Sequence, residues 1–304
     1  MQNAPVFSVI IVNWNTKDLT LKAIASIYAQ HEPNVEIIVV DNNSSDGSLS
    51  TITKMFPAVE IIANKTNAGF ARACNQAMSQ AKGRYFILLN SDAEILSPRA
   101  FETVQKTFEN NSQLGILGGL LRLDNGKIQS MGRQLLTLRR LIKEQLLFSS
   151  KICRKKGVRT KSMLSVDYVD GAFLVIPASV VKSIGMLRED FFMYGEDMEW
   201  CKRATSLGWQ VKVLPLIEIL HHHGVSSRKN FRRVLVENVE SNCRFLLDHE
   251  GLSHAKLAFH VYMVGFLLRI PISWLRQNGL SLYYRQALGD CFKRRSSFFT
   301  DLTN

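Results

Sequence analysis

The sequence predicts an α/β protein: a mostly parallel sheet with helices on both faces, followed by a C-terminal helical segment. Three observations predict it. Four short apolar runs recur between residues 6 and 89. Segments with helical spacing of apolar residues separate them. Each run ends abruptly in a loop of Asn, Asp, Ser or Gly. Uninterrupted apolar strands belong to a parallel sheet covered on both sides.

The elements follow in order. Val6 to Val12 (VFSVIIV) reads as a buried strand. Thr16 is placed to cap a helix whose core stripe would be Leu21, Ile24, Ala25 and Tyr28. Glu36 to Val40 is a second strand, followed by a helix marked by Leu49, Ile52 and Phe56. Val59 to Ala63 is a third. A helix from about Ala71 carries Cys74 and Met78 inward, with Gly83 as its stop. Tyr85 to Leu89 is a fourth strand, and Ser97-Pro98 opens a helix with Phe101, Val104 and Phe108 on one face.

In such sheets ligands bind at the carboxyl ends of the strands. The loops there are NWN (13–15), DNNSSDGS (41–48), NKTNAGF (64–70) and NSDAE (90–94). Turn chemistry explains part of that composition, but four polar loops converging on one rim point to a polar ligand. A dinucleotide-binding domain needs GxGxxG after the first strand, where this chain has NWNTKD; the chain also has no GxxxxGK[ST] and no GxSxG.

The 304 residues are 46% apolar, with a formal net charge of +12. That favours anionic partners such as nucleotides or lipid phosphates. A nucleic-acid binder would share the charge, but the acidic rim would repel phosphate unless a metal is bound. Five widely spaced cysteines (74, 153, 201, 243, 291) without CxxC read as reduced thiols of a cytoplasmic protein. The N-terminus has no basic region before its short apolar run and does not read as a signal peptide.

The ordered set SVIIVNWN, VVDNNSSDGS, NAGFARACNQA, LLNSDAEI, VDGAFLVIP, FFMYGEDMEWCKRATSLGW and HHHGVSS resembles family 2 glycosyltransferases of the GT-A fold. It is closest to the rhamnosyltransferase-like branch that builds bacterial surface polysaccharides. The likeness covers about residues 6 to 228, the expected catalytic domain (1–228), with 229–304 as a helical, membrane-associating region. It implies inverting transfer of a sugar, rhamnose first, from a nucleotide-diphosphate donor to a glycan or polyprenyl-linked acceptor. UDP-hexose and UDP-galactofuranose stay open as donors. Other readings are a nucleotidyltransferase, which lacks its Gly-rich phosphate loop here, and a non-catalytic nucleotide-sugar-binding protein.

The resemblance also implies roles. Asn13 and Asn15 line the nucleoside; Asp41 holds the base or ribose, with Asn43 and Asp46 beside it. Asp46 is equally placed to cap the next helix. Asn67, Gly69 and Asn75 shape the donor pocket, and Arg72 between them faces a phosphate. Asn90-Ser91-Asp92 stands where the family has its D-x-D metal signature. A hard divalent cation, Mn²⁺ or Mg²⁺, would bridge Asp92 to the donor diphosphate. Glu94 reads as a solvent or capping group. Asp170 and Gly171 lie against the donor sugar and acceptor. Asp197 matches the general base, and Glu196 orients Asp197 or the acceptor. One of His221, His222 and His223 completes the metal site, and His221 fits the H-x-x-G-x-S spacing. The helix starting at Gly195-Glu196-Asp197 would bury Trp200, Ala204 and Leu207 and stop at Gly208.

Residues 139–161 carry nine Lys or Arg and one acid, Glu144. They read either as a solvated loop or as a contact for anionic headgroups. In 257–275 (LAFHVYMVGFLLRIPISWL), His260, Arg269 and Pro271 break up the apolar run. An interfacial helix fits better than a span; packing on the catalytic core or on a second subunit of a homodimer is the other reading. The expected location is the cytoplasmic face of the plasma membrane.

Overall fold

The computed structural model describes residues 5–147, 162–222, 230–277, 279–295 and 298. His223, the Gly224 and Ser226 of the histidine motif, Cys153 and the basic stretch 148–161 lie outside them. The chain divides into two compact units. The first is Met1–Leu135, Ile152–Asp190 and Glu196–Ser226; the second is Leu136–Lys151, Phe191–Gly195 and Ser227–Asn304.

In the first unit, β1 (Phe7–Asn13), β2 (Val35–Asp41), β3 (Glu60–Ala63) and β4 (Tyr85–Leu89) are parallel, in the order 3-2-1-4. The crossovers are α1 (Lys17–Tyr28), α2 (Ser48–Met55) and α3 (Phe70–Gln80). Then come β5 (Ala93–Ile95), α4 (Ala100–Glu109), β6 (Leu114–Arg122), β7 (Ile128–Ser130), β8 (Leu164–Ser165), β9 (Phe173–Pro177), α6 (Ala178–Ile184), α7 (Glu196–Ser206) and β10 (Gln210–His221), with α5 (Leu138–Leu146) in the second unit. The sheet runs β3-β2-β1-β4-β9-β6-β10-β5, with β7 on β6 and β8 on β10. β9 is antiparallel to both β4 and β6, whereas β10 is parallel to β6.

Side chains alternate along a strand. Phe7, Val9 and Ile11 of β1 enter the core under α1, α2 and α4, while Ile10 enters the core under α3, α6 and α7. Both faces are apolar, so the strand reads as a continuous run. Phe101, Val104 and Phe108 of α4 are buried as the spacing predicts.

Three local expectations are corrected. The buried face of α1 is Thr20, Ala23, Ile24 and Ile27; of the expected stripe, Ile24 is buried and Leu21 packs partly against the core, but Ala25 and Tyr28 do not. Buried Thr20 is satisfied by the Thr16 carbonyl at 2.9 Å and by Asn13, which leaves Ala25 and Tyr28 outward. Gly83 is not a helix stop: a Cβ there would lie 2.6 Å from the Ser8 nitrogen, so glycine is required by its close approach to β1. Leu207 is 59% exposed, since α7 ends at Ser206 and Gly208 takes a left-handed φ of 86°.

The second unit contains α5, α8 (Phe231–Glu250), α9 (Leu252–Leu275) and α10 (Leu280–Lys293). Its core joins Leu141 to Val239, Cys243, Phe259, Phe266 and Ala287. The start of the basic segment is helical rather than a loop, with Thr137 accepting from the Arg140 N–H as N-cap. The stretch 257–275 is helical as expected: α9 runs through His260, Arg269 and Pro271, the residues that interrupt its apolar run. Arg269 bends back along the helix: its guanidinium donates to the Gln145 carbonyl at 2.9 Å and the Glu144 carbonyl at 3.2 Å. These are last-turn carbonyls of α5, so the charge caps a neighbouring helix.

Candidate functional site

The candidate site residues lie in the first unit, on strand ends, on the loops that follow them and on the helices α3 and α7. The first cluster sits where β1 and β2 end side by side, Asn13 in register with Asp41. Asn13 is fully buried; its amide donates to Asp41 Oδ1 at 2.6 Å, and its carbonyl oxygen accepts from Thr16 and Thr20 at 2.8 Å each. Both ends of the Asn13 amide are thus hydrogen-bonded within the protein, and its amide N–H helps to fix the Asp41 carboxylate. Asp41 is 3% exposed and also accepts the Ser44 N–H at 2.9 Å. The Thr16 hydroxyl, placed to cap α1, instead links Asn13 to Ser91 Oγ at 2.8 Å and so ties the first loop to the fourth.

Asn15, in left-handed backbone (φ 54°), accepts the Ser45 N–H at 2.8 Å. Asn43 is exposed with φ 64°. Asp46 accepts the Lys17 N–H at 2.8 Å and the Ser48 N–H at 3.0 Å, which makes it a helix-terminal acceptor for α1 and α2. Burial pushes its carboxyl up, but the hydrogen bonds from Ser48 and Lys17 outweigh it and leave the pKa lowered.

In the third loop Asn67 Oδ1 accepts the Gly69 N–H at 3.0 Å, forming an Asx turn. The Gly69 carbonyl accepts from buried Asn42 at 3.1 Å. Asn75 faces elsewhere: its amide donates to the Leu187 carbonyl at 2.8 Å and to Glu189 at 3.0 Å, and its carbonyl accepts the Leu187 N–H. It holds the 187–189 segment onto α3. Arg72 is mostly exposed and loosely paired with Glu189 at 3.8 Å.

The second cluster is Asn90, Asp92 and His221. The antiparallel pairing of β10 with β5 sets His221 opposite Ala93, which brings the ring against the fourth loop. His221 Nε2 is 3.2 Å from Asp92 Oδ1 and 3.5 Å from Asn90 Nδ2, and Nδ1 is 2.9 Å from Gln129 Oε1. An amide oxygen can only accept, so Nδ1 carries the proton and Nε2 faces Asp92. An imidazole held by a carbonyl on its far nitrogen is the usual support of a metal-ligating histidine. These residues fit a divalent cation held by one carboxylate and one imidazole, its other positions taken by donor phosphates and water. Among the described residues no group of three or more His, Cys, Asp or Glu is arranged to hold an ion alone.

His222 points the other way, as strand alternation requires. Nε2 meets Glu94 at 2.7 Å and Nδ1 meets Asp124. Burial lowers its proton affinity, but the bonds to Glu94 and Asp124 raise it further. With both nitrogens occupied, His222 is a structural tie, and Glu94, expected in solvent, is its partner.

The third cluster surrounds Asp197 in the first turn of α7. The Gly171 N–H donates to Oδ2 at 2.9 Å and the Met198 N–H to Oδ1 at 2.8 Å. Burial, then the charge of Asp170, raises the Asp197 pKa to about 6; the two N–H groups and Arg133 act against them. Asp170 is itself committed: it pairs with Arg133 Nε at 2.6 Å and accepts from Ser130 at 2.5 Å. Glu196 is 5% exposed, and its Oε2 has no hydrogen-bond partner among the described residues; burial and then the nearby Glu196 charge push up the thiol of buried Cys74. Burial, then the Asp197 charge, pushes Glu196 up to about 8.

Gln129, Ser130 and Arg133 are residues that the sequence reading missed. Gln129 and Ser130 are neighbours on β7, one bonded to His221 and the other to Asp170, so this short strand bridges the second and third clusters. The available signal was Asn125-Gly126, a hairpin turn dipeptide, with Gly126 at φ 72°.

Residues 8–176, more than half of the chain, match the family model for glycosyl transferase family 2. The chain belongs to glycosyl transferase family 2. This family 2 member is 24% identical over 270 residues to an N-acetylglucosaminyl-diphospho-decaprenol L-rhamnosyltransferase of Mycobacterium tuberculosis, covering 83% of this chain and 88% of that protein. It is 28% identical over 212 residues to an uncharacterized glycosyltransferase of Haemophilus influenzae, covering 68% and 62%. Among solved structures it resembles the mannosyltransferase PcManGT of Pyrobaculum calidifontis in complex with GDP-Man and Mn²⁺ (TM-score 0.57, 14% identity, 99% and 88% coverage). It also resembles residues 1–349 of S. aureus TarS (TM-score 0.52, 17% identity, 95% and 91% coverage). The fold of this family 2 glycosyltransferase is GT-A, with a helical C-terminal segment.

Proposed function

We propose that this family 2 glycosyltransferase is an inverting, metal-dependent enzyme. It moves a sugar, rhamnose first, from a nucleotide-diphosphate donor to a hydroxyl of a polyprenyl-linked or glycan acceptor in cell-surface polysaccharide synthesis. The observation that carries this reading is the pairing of Asp92 with His221 on the same strand-end rim as a hydrogen-bonded Asp197. The Mycobacterium relative's name supplies the rhamnose and lipid-diphosphate parts, and the structurally similar mannosyltransferase is a complex with Mn²⁺.

Asp41, held on the rim by Asn13 and Ser44, would accept from a base or ribose hydroxyl of the donor. Asp92 and His221 would hold the cation, which when bound neutralises the departing diphosphate. Asp197, ionised, takes the acceptor hydroxyl proton as that oxygen bonds to the anomeric carbon and the bond to the nucleoside diphosphate breaks. The Gly171 and Met198 N–H groups keep the carboxylate charged and fix its orientation. We place the enzyme at the cytoplasmic membrane face, where a polyprenyl-linked acceptor is presented.

The test is a thermal-shift panel of nucleotide-sugars with Mn²⁺, since a ligand of the native state raises the melting temperature by mass action. It includes dTDP-rhamnose, UDP-hexoses, UDP-galactofuranose and GDP-mannose. NMR of the anomeric proton in donor and product then reports inversion. A shift with no turnover on any acceptor favours a non-catalytic nucleotide-sugar binder, and no shift with any donor overturns the proposal.

A further inference from the structure

Helix α9 is apolar on two opposite sides. Phe259, Tyr262 and Phe266 on one side are buried in the core of the second unit. On the other, Leu257, Val264, Leu267, Leu268, Trp274 and Leu275 are 48%, 44%, 52%, 41%, 71% and 72% exposed. At 3.6 residues per turn these six fall within an arc of about 120° and extend about 27 Å along the axis. His260 and Pro271 share the arc; His260 Nδ1 is bonded to the Lys256 carbonyl at 2.7 Å. A continuous apolar stripe of this length is a mark of an interaction surface.

Charge identifies the occupant. The second unit holds sixteen Lys and Arg against seven Asp and Glu, so nine of the chain's twelve net positive charges sit in about a third of its residues. A second copy would bring the same charge against itself, whereas an anionic lipid surface brings the opposite one. Exposed Lys256 and Arg276 lie near the two ends of the stripe, and Trp274 has the amphipathic ring favoured at a membrane–water boundary. On α5 of the same unit, Leu138, Ile142 and Leu147 line an open apolar groove together with Arg139, Lys143 and His254, with Glu250 beside them. By length and composition α9 could cross a membrane, but its opposite side is packed within the second unit and carries Arg269, which leaves the exposed stripe as the face available to a bilayer surface.

We propose that the Leu257–Leu275 face of α9 docks on an anionic bilayer, with its leucines and Trp274 at the acyl boundary and the surrounding Lys and Arg against lipid phosphates. The proposal rests on the membrane location given above and adds the face and the lipid chemistry. The experiment is co-sedimentation of the full chain with vesicles of phosphatidylcholine alone and with added phosphatidylglycerol. We expect binding to the anionic vesicles that weakens with salt. The double variant L267E/L268E, at exposed positions and with an unchanged melting temperature, should lower vesicle affinity by roughly tenfold or more. Lys143→Glu and Arg276→Glu should each lower it roughly fivefold.

Equal sedimentation of wild type and L267E/L268E overturns the proposal. So does a concentration-dependent dimer, seen by analytical ultracentrifugation, that L267E/L268E dissolves while vesicles are not bound. Nucleotide thermal shifts on the same samples keep the two readings apart. A retained shift with lost sedimentation removes only the docking face, whereas sedimentation without any shift supports the face and removes the donor reading.

Discussion

The backbone N–H of Gly171 donates to Oδ2 of Asp197 at 2.9 Å across 26 positions of sequence, joining the start of β9 to the start of α7. Asp197 therefore has one oxygen held by Gly171 and the other by Met198. Burial and Asp170 still raise its pKa to about 6. A base must be ionised, so kcat should fall as pH drops through about 6 and level off above it. Asp197→Asn should lose about 10²–10⁴-fold in kcat with donor affinity nearly intact. Turnover equal to wild type would remove the base assignment.

Arg133 and Asp170 bias Asp197 in opposite directions. The charged groups that bias it are these two, and Glu196 beside it keeps its proton below about pH 8. Arg133→Met removes a cation and should move the acid limb of the kcat profile up by about one pH unit. Asp170→Asn removes an anion and should move it down. Profiles of both variants that superimpose on wild type would show that the Arg133–Asp170 pair does not set this proton affinity.

Glu196 gives a stability prediction with a definite sign. Its folded pKa, about 8, lies above the 4.5 of a free carboxyl, because of burial and then of Asp197. The native state keeps a proton that the unfolded state releases, so stability is lost as pH rises from 4.5 to about 8. Glu196→Gln should leave stability near wild type at pH 4.5 and raise it on the order of 3 kcal/mol at pH 8. Urea unfolding at the two pH values measures this; a variant less stable than wild type at pH 8 would refute it.

The cation site yields a graded series. With one carboxylate and one imidazole, the protein alone should bind Mn²⁺ weakly and tighten only when a nucleoside diphosphate is present. Asp92→Ala and His221→Ala should abolish the metal-dependent part of donor affinity in calorimetry with and without EDTA. Gln129→Leu should cost 10–100-fold in metal affinity by freeing the ring. His222→Gln should keep metal-dependent affinity, since both His222 nitrogens face Glu94 and Asp124. Identical donor affinity with and without Mn²⁺ in the wild type would refute the metal reading.

The sequence alone determined the repeating strand–helix order, the parallel core from β3 to β4 and the polar rim with Asp41, Asp92 and Asp197 on it. These follow from local physics: apolar runs must be covered on both faces, and Asn, Asp, Ser and Gly mark strand ends. The tertiary structure decided which protein partners these polar groups take. Asn13, Asn75 and Asp170 read from their motifs as donor contacts, and in the fold each is bonded to a partner far along the chain: Asp41, Leu187 and Arg133. It also set the two described histidines apart. Their spacing fits the family motif, but only the register of β10 against β5 turns His221 toward Asp92 and His222 toward Glu94. The β7 bridge was not legible because Gln129 and Ser130 form no motif; strand pairing to β6 sets one against His221 and the other against Asp170. A side chain's type can be read one residue at a time, but its free valence depends on what the folded chain brings within about 3 Å of it.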